Sequence, residues 1–419
     1  MGPALQTPDI KEKLVSLQLD QHGPRPSSNV ETLLAEEWPR FSDAERARRR
    51  EAMLGAAAEQ GSDLVVAYGA DRSGSAVQWL CGWPVTREAV LIIDGRSGED
   101  LLLVQFHNHV TQASELSEDC EVRWAGPSTN DTVVEELTRR DVSQRRVGVV
   151  GPVPVGLHKR LGETANEVVP LGSAYTTLRL VKSAEELDRL AVGAYLSDQG
   201  VLGLRDGLRA GLVDHELSNL VERAYVPLGG TTHIHYFAIT PMTSPRRAAP
   251  AQHTTNRRVQ DGDVVVTEIS AAFQGYSGQV LRTMTTSDEL SPLYRDLHAV
   301  ADAAFDAVCD VLRPGATAAD MVEAAGLIED AGYTIVDDLV HGFDGGYLPP
   351  VVGSRSRPAG PLPELVLQEG MTLVVQPNVT TRDHSAGVQT GELMVVTESG
   401  AVSLHGVDRG PWLGIGAKA

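Results

Sequence analysis

Glu268 stands in the run VVVTEIS, an apolar stretch of strand character. Burying an ionised carboxylate there without a partner would cost several kcal/mol. Such a placement points either to a site group or to an ion pair with Arg282. His341 lies between Leu339-Val340 and Gly342-Phe343. It is either a core histidine satisfied by hydrogen bonds or a site group able to exchange protons near pH 7. His233 and His235 alternate in THIHYF, so a strand would turn both to one side, as at a pocket rim. Asp383-His384 falls in a polar stretch and reads as an exposed loop. The chemistry these types support is general acid–base catalysis.

The elements that must position them come from the C-terminal half. RLVKS marks a boundary, followed at once by the helix AEELDRLAVGAYLSDQGVLGLRDGL and a second helix in DHELSNLVERAYVPLGG. Strands follow in GDVVVTEISAAF and GYSGQVLRTMTT, then helices over Leu293–Leu312 and Ala318–Ala331. YTIVDDLVHGF, GMTLVVQPNV and GELMVVTESG complete the set as strands. Two helices, a hairpin, two helices and three strands predict an α+β domain around one curved antiparallel sheet.

The first half reads differently. SDAERARRREAMLGAAAEQG has an N-cap serine, strong helix formers and a terminal glycine, the pattern of a helix. DLVVAYG, EAVLIIDG, EDLLLVQF and RRVGVVG are short apolar runs bounded by glycine, which predicts a small α/β domain. The expected division is an N-terminal extension over 1–40, an α/β domain over 41–180 and the α+β domain over 181–419. Within the first, RARRR at Arg46–Arg50 reads as a solvated helix face, and Trp79 and Trp83 as packing or interface residues.

A net charge of −20 opposes binding to phosphate backbones, so nucleic acid is not an expected partner. No apolar run approaches the roughly 20 residues that cross a bilayer, and the start of the chain lacks a signal-peptide order. Cys81, Cys120 and Cys309 are widely spaced and fit free thiols in a reducing compartment, so the cytoplasm is expected.

Landmarks follow one another along the C-terminal half: RLVKSAEEL, GLVDHEL, TNRRVQDGDVVVTEI, GYSGQVLRT, LRPGATAAD, VHGF, LQEGMTLVVQP and GVQTGELMVVTESG. Their order and spacing resemble the creatinase, prolidase and methionine-aminopeptidase superfamily, which implies a pita-bread fold from about Ser183 to Gly400. The α/β domain before it resembles the N-terminal domain of the creatinase and prolidase branch.

In that superfamily two divalent ions are held by two Asp, one His and two Glu. Matched position by position, these fall on Glu268, Gln279, His341, Gln376 and Gly391, with Glu392 adjacent, and a further family histidine falls on Leu348. Hard dications need anionic oxygens, and amides supply no charge. No stoichiometric metal and no other cofactor are therefore expected, with one weakly held ion on Glu268, His341 and Glu392 left open. Creatinase is the family precedent for metal-free hydrolysis. Its acid–base histidine falls on Ala251, with His253 two residues away beside the insertion TSPRRAAPAQ.

What the resemblance implies is a metal-independent enzyme acting on a small polar, nitrogen-containing molecule by C–N hydrolysis or a related elimination. His341 and His253 would exchange protons, and Glu268 would orient a histidine or pair with a cationic substrate group. Gln279 and Gln376 would hydrogen-bond the substrate, with Tyr276, Arg282, Glu392, His233 and His235 around it. Tyr276 and Arg282 match positions that shape the family's pocket, by packing or by holding a substrate carboxylate. The rival readings are a degenerate metallopeptidase cleaving Xaa-Pro bonds and a non-catalytic binding module. A homodimer is also implied, with WLCGW a candidate contact.

Overall fold

The computed structural model describes residues 26–415 apart from Arg72. The chain divides into two compact units, one over Trp38–Arg179 and the other from Leu180 onward together with the segment before Trp38.

The second unit opens with α1 (Ser28–Ala35), capped by the Ser27 side chain. Part of the expected extension over 1–40 belongs to this unit. Val30, Leu33 and Leu34 pack into the core of the second unit, so this stretch is one of its own elements. The part up to residue 25 lies outside the described residues.

In the first unit the Ser42 hydroxyl caps α2 (Asp43–Glu59). A six-stranded mixed sheet follows, built from β1 (Leu64–Ala70), β2 (Glu88–Asp94), β3 (Leu101–Val104), β4 (Glu121–Trp124), β5 (Arg146–Val150) and β6 (Glu167–Pro170), in the order β4-β3-β2-β1-β5-β6. Its helices are α3 (Ala76–Cys81), α4 (Val110–Leu116), α5 (Thr129–Arg139), α6 (Val155–Thr164) and α7 (Gly172–Leu178). Trp79 and Trp83 are buried in its core beside Ala76, Val77 and Leu80. WLCGW is thus core of this unit and not the exposed contact expected of it. Arg49 also departs from the solvated-face reading. Its buried guanidinium sits over the Phe41 ring and bonds Glu45 and the Trp79 carbonyl. Arg46 and Arg50 pair with Asp119 and Asp100.

In the second unit α8 (Ala184–Gly207) begins at a capping box, Ser183 with Glu186. After α9 (Asp214–Tyr225) come the strands that carry the site: β7 (Thr231–Pro241), β8 (Asp263–Phe273) and β9 (Tyr276–Thr285). Gln274 and Gly275, at φ 52° and 87°, form the two-residue turn between β8 and β9, the geometry that matches strand twist. Helix α8 lies directly on β9. A Cβ placed on Gly278 would stand 2.2 Å from the Cα of Ala194, so only glycine permits this approach.

The chain continues with α10 (Pro292–Val311), α11 (Ala318–Ala324), α12 (Leu327–Asp330), β10 (Thr334–Ile335), β11 (Val340–Phe343), β12 (Tyr347–Val352), β13 (Thr372–Val375), β14 (Val379–Thr380), β15 (Gly391–Thr397) and β16 (Gly400–Ser403). The main sheet is antiparallel in the order β12-β11-β13-β15-β9-β8-β7, with β16 on β15. The expected helix over 318–331 is broken at Gly326, and the expected strand over 333–343 is interrupted at 336–339. Strand β12 escapes a sequence reading because YLPPVV carries two prolines, which an edge strand tolerates.

Alternation sorts the β8 side chains. Val265 and Ile269 pack in the core beneath α8 and α9, so Glu268 turns to the opposite face. Tyr236 pairs with Glu268 and Gln279 with Ser270, which puts all of them on that one face.

Candidate functional site

Glu268, Gln279 and Gln376 form one hydrogen-bonded row. The Gln279 Nε2 donates to Glu268 Oε1 and to Gln376 Oε1, each at 3.0 Å. Gln376 in turn donates to the Asp338 carbonyl at 3.4 Å. Above this row lies a cavity of about 330 Å³ whose walls include Glu268, Gln279, His233, Tyr236, Asp337 and Tyr347. Burial, reinforced by the charge of Asp337, pushes the Glu268 carboxyl up to about 7. A carboxyl so placed can both take and give a proton near neutrality. Burial also raises Asp338, helped by its neighbour Asp337. Tyr347 donates to Asp338 Oδ1 at 3.4 Å.

Asp337, Asp338 and Tyr347 were not singled out in the sequence. The signal was present. Asp337-Asp338 interrupts the apolar run YTIVDDLVHGF just as Glu268 interrupts VVVTEIS. The pair sits where the backbone leaves strand geometry, between β10 and β11.

Several expected site residues stand elsewhere. His341 is fully buried and stacks on Tyr347 at 3.9 Å between ring centroids. Its Nδ1–H donates to the Gly342 carbonyl at 3.1 Å, and burial lowers its pKa to about 4. The ring is neutral at pH 7 and interacts with Gln376, but it is not among the residues that line the cavity. His253 is exposed in a loop and does not line it either, although the neighbouring Gln252 does. Tyr276 is buried and donates to Glu186 at 2.9 Å, a role in holding α8 to β9.

His233 and His235 separate rather than sharing a side. A register shift between Thr232 and Ile234 turns His233 toward the cavity and Phe343. His235 stays in register on the other face, bonded to the Tyr225 hydroxyl at 2.7 Å, and burial lowers its pKa to about 4.

Arg282 does not pair with Glu268. It is fully buried and donates to Glu392 at 2.5 Å and to the carbonyls of Leu281, Gly391, Val407 and Asp408. Glu392 pairs in register with Val280, on the face turned away from Gln279, and also accepts from Ser403 at 2.6 Å. It is therefore unable to swing into the site as a ligand, because doing so would strand the Arg282 cation.

The second unit has the two-domain pita-bread architecture's curved antiparallel sheet, and the comparisons agree with that reading. The model of metallopeptidase family M24 matches residues 189–398, half of the chain. The chain belongs to metallopeptidase family M24. The chain is 22% identical over 269 residues to the Xaa-Pro dipeptidase of Pyrococcus furiosus, spanning 63% of this chain and 74% of the relative. The structure of X-Pro aminopeptidase from Thermotoga maritima superimposes with a TM-score of 0.75 at 18% identity, covering 87% of this chain and 99% of that one. Prolidase from Pyrococcus furiosus does so with a TM-score of 0.71 at 21% identity, covering 85% and 100%.

The M24 name implies a metal centre, and the side chains present can be tested against it. At the matched positions only Glu268 supplies an anionic oxygen, beside two amides and the neutral His341. Gly391 has no room for a longer side chain: a Cβ there would meet the Val375 carbonyl and Leu281 Cδ1, each at 2.8 Å. Among the described residues no three His, Cys, Asp or Glu side chains converge at ligand spacing. This donor set does not suit two hard dications.

Proposed function

We propose that this chain hydrolyses a C–N bond of a small polar, nitrogen-containing molecule without a dinuclear metal centre, with Glu268 as its proton-transfer group. The observation that supports this is the Glu268 carboxyl, poised at about 7 on a cavity wall and bonded to the amide that stands at a family ligand position. The ionised Glu268 takes a proton from water as the oxygen adds to the carbonyl or amidine carbon. The same carboxyl then returns that proton to the nitrogen as the C–N bond breaks, so protons balance over the cycle. Gln279 holds Glu268 in place and keeps its own Oε1 toward the substrate.

A second reading, a degenerate metallopeptidase for Xaa-Pro bonds, draws support from what the relatives are called. One panel separates the two. Small amides, ureas, amidines and Xaa-Pro dipeptides are incubated with the full-length protein, with EDTA or with Mn²⁺, and amine or ammonia release is followed. Turnover indifferent to EDTA is expected. Xaa-Pro cleavage abolished by EDTA and restored by Mn²⁺ would replace this proposal with the second reading. The proposal also includes a cytoplasmic homodimer. Three free thiols fit the compartment, and light scattering near twice 44.8 kDa is the check on the dimer. Among the described residues no helix is long and apolar enough to cross a membrane.

A further inference from the structure

The cavity wall combines hydrogen-bond acceptors with apolar side chains such as Ile234 and Val336. Gln279 and Gln389 are each 1% exposed, both line the cavity, and both leave Oε1 without a hydrogen-bond partner. The Gln279 amide is fixed in orientation, because its Nε2 serves two acceptors at once and turning it over would set oxygen against oxygen. A buried amide oxygen left unmet is costly, and a bound donor removes that cost. Glu268 and Asp337 add two carboxyls to the same wall. Tyr236, Phe343 and Tyr347 contribute aromatic rings, whose faces attract cations. Among the described lining residues none is Lys or Arg, and His233 is the sole basic side chain.

We infer that this cavity takes a small organic cation carrying several N–H donors, held by the Gln279 and Gln389 amide oxygens together with Glu268 and Asp337. The inference rests on the hydrolase reading of the same cavity and names the charged end of its substrate. N–H groups answer the unmet oxygens, and positive charge answers the carboxyls. A quaternary ammonium would satisfy the rings and the charge but leave both amide oxygens unmet. An anion would face the Glu268 and Asp337 carboxyls and the two unmet amide oxygens.

The test is binding, measured by calorimetric titration of the full chain at constant ionic strength with acetamidinium, methylammonium, tetramethylammonium and acetate. Acetamidinium and methylammonium are expected to bind. Tetramethylammonium should bind about tenfold more weakly and acetate not at all. Gln389→Leu should weaken acetamidinium about tenfold and leave tetramethylammonium unchanged. Should that variant fail to fold, Asp337→Asn is the second variant: it removes a carboxyl that both kinds of cation use, so it must weaken acetamidinium, methylammonium and tetramethylammonium alike. Equal or tighter binding of tetramethylammonium, preference for acetate, or no binding of either N–H cation would overturn the inference. Binding is read apart from turnover, so the two claims fail separately. EDTA-resistant turnover without cation binding sinks this inference alone, and cation binding without turnover sinks the hydrolase reading alone.

Discussion

Replacing Glu268 by Gln should make this protein more stable at pH 8 while changing little at pH 5. The side chains are nearly the same shape, and a glutamine oxygen can still accept the hydrogen bond that Gln279 donates. The difference lies in charge. In the folded chain the Glu268 carboxyl is raised from 4.5 to about 7, chiefly by burial. A group whose folded pKa is raised holds its proton more tightly in the native state. Its contribution is fully present below pH 4.5 and is lost as pH rises toward 7, while the unfolded state ionises first. A shift of about 2.5 units at 1.36 kcal/mol per unit gives an upper figure of about 3 kcal/mol. For a unit of this size about 1 kcal/mol moves Tm by roughly 2–4 °C, so the variant's advantage at pH 8 should reach roughly 6–12 °C. Wild-type and Glu268→Gln protein would be melted side by side at pH 5, 6, 7 and 8, and the difference in Tm plotted. The other carboxyls, including Asp338, cancel in that difference to the extent that they do not couple to Glu268. A difference that stays flat across the series would refute the burial argument for Glu268.

Other outcomes follow from the same geometry. Once a substrate is in hand, Glu268→Gln should lower turnover by about 10²–10⁴-fold, and the wild-type rate should climb with pH through about 7 as the general base ionises. His341→Gln should alter turnover far less than this, because the ring is neutral and hidden behind Tyr347; a loss as large as that of Glu268→Gln would restore it as the proton carrier. Arg282→Met leaves Glu392 buried and unpaired and should cost about 3–5 kcal/mol in a denaturant titration. The double change Gln279→Asp with Gln376→Glu should bring measurable Mn²⁺ binding by calorimetry and abolish native turnover.

The fold was legible because its signals are local and repeated. Glycine-bounded apolar runs, and the N-cap serine and strong helix formers of the segment from Ser42, each announce themselves in a few residues. What escaped depended on register and on breaks. The bulge that turns His233 away from His235 adds one residue to a strand whose alternation otherwise looks regular. Asp337-Asp338 interrupts an apolar run as plainly as Glu268 does, but the break in the strand at 336–339 that brings Asp337 to the cavity is not written in that run. Glu268 stands out in the sequence because a lone carboxyl in a valine run is costly to bury, and it lines the cavity. Glu392 was misplaced as a reserve ligand, since only the pairing of β15 with β9 shows that it faces Arg282.

We propose above that this M24 chain works without a dinuclear metal centre. The direct measurement is elemental analysis of the full-length protein after equilibration with, and dialysis from, dilute Mn²⁺, Co²⁺ or Zn²⁺. Well under one ion per chain is expected, because Gln279, Gln376 and Gly391 stand where anionic ligands would be needed. Two ions per chain would contradict it.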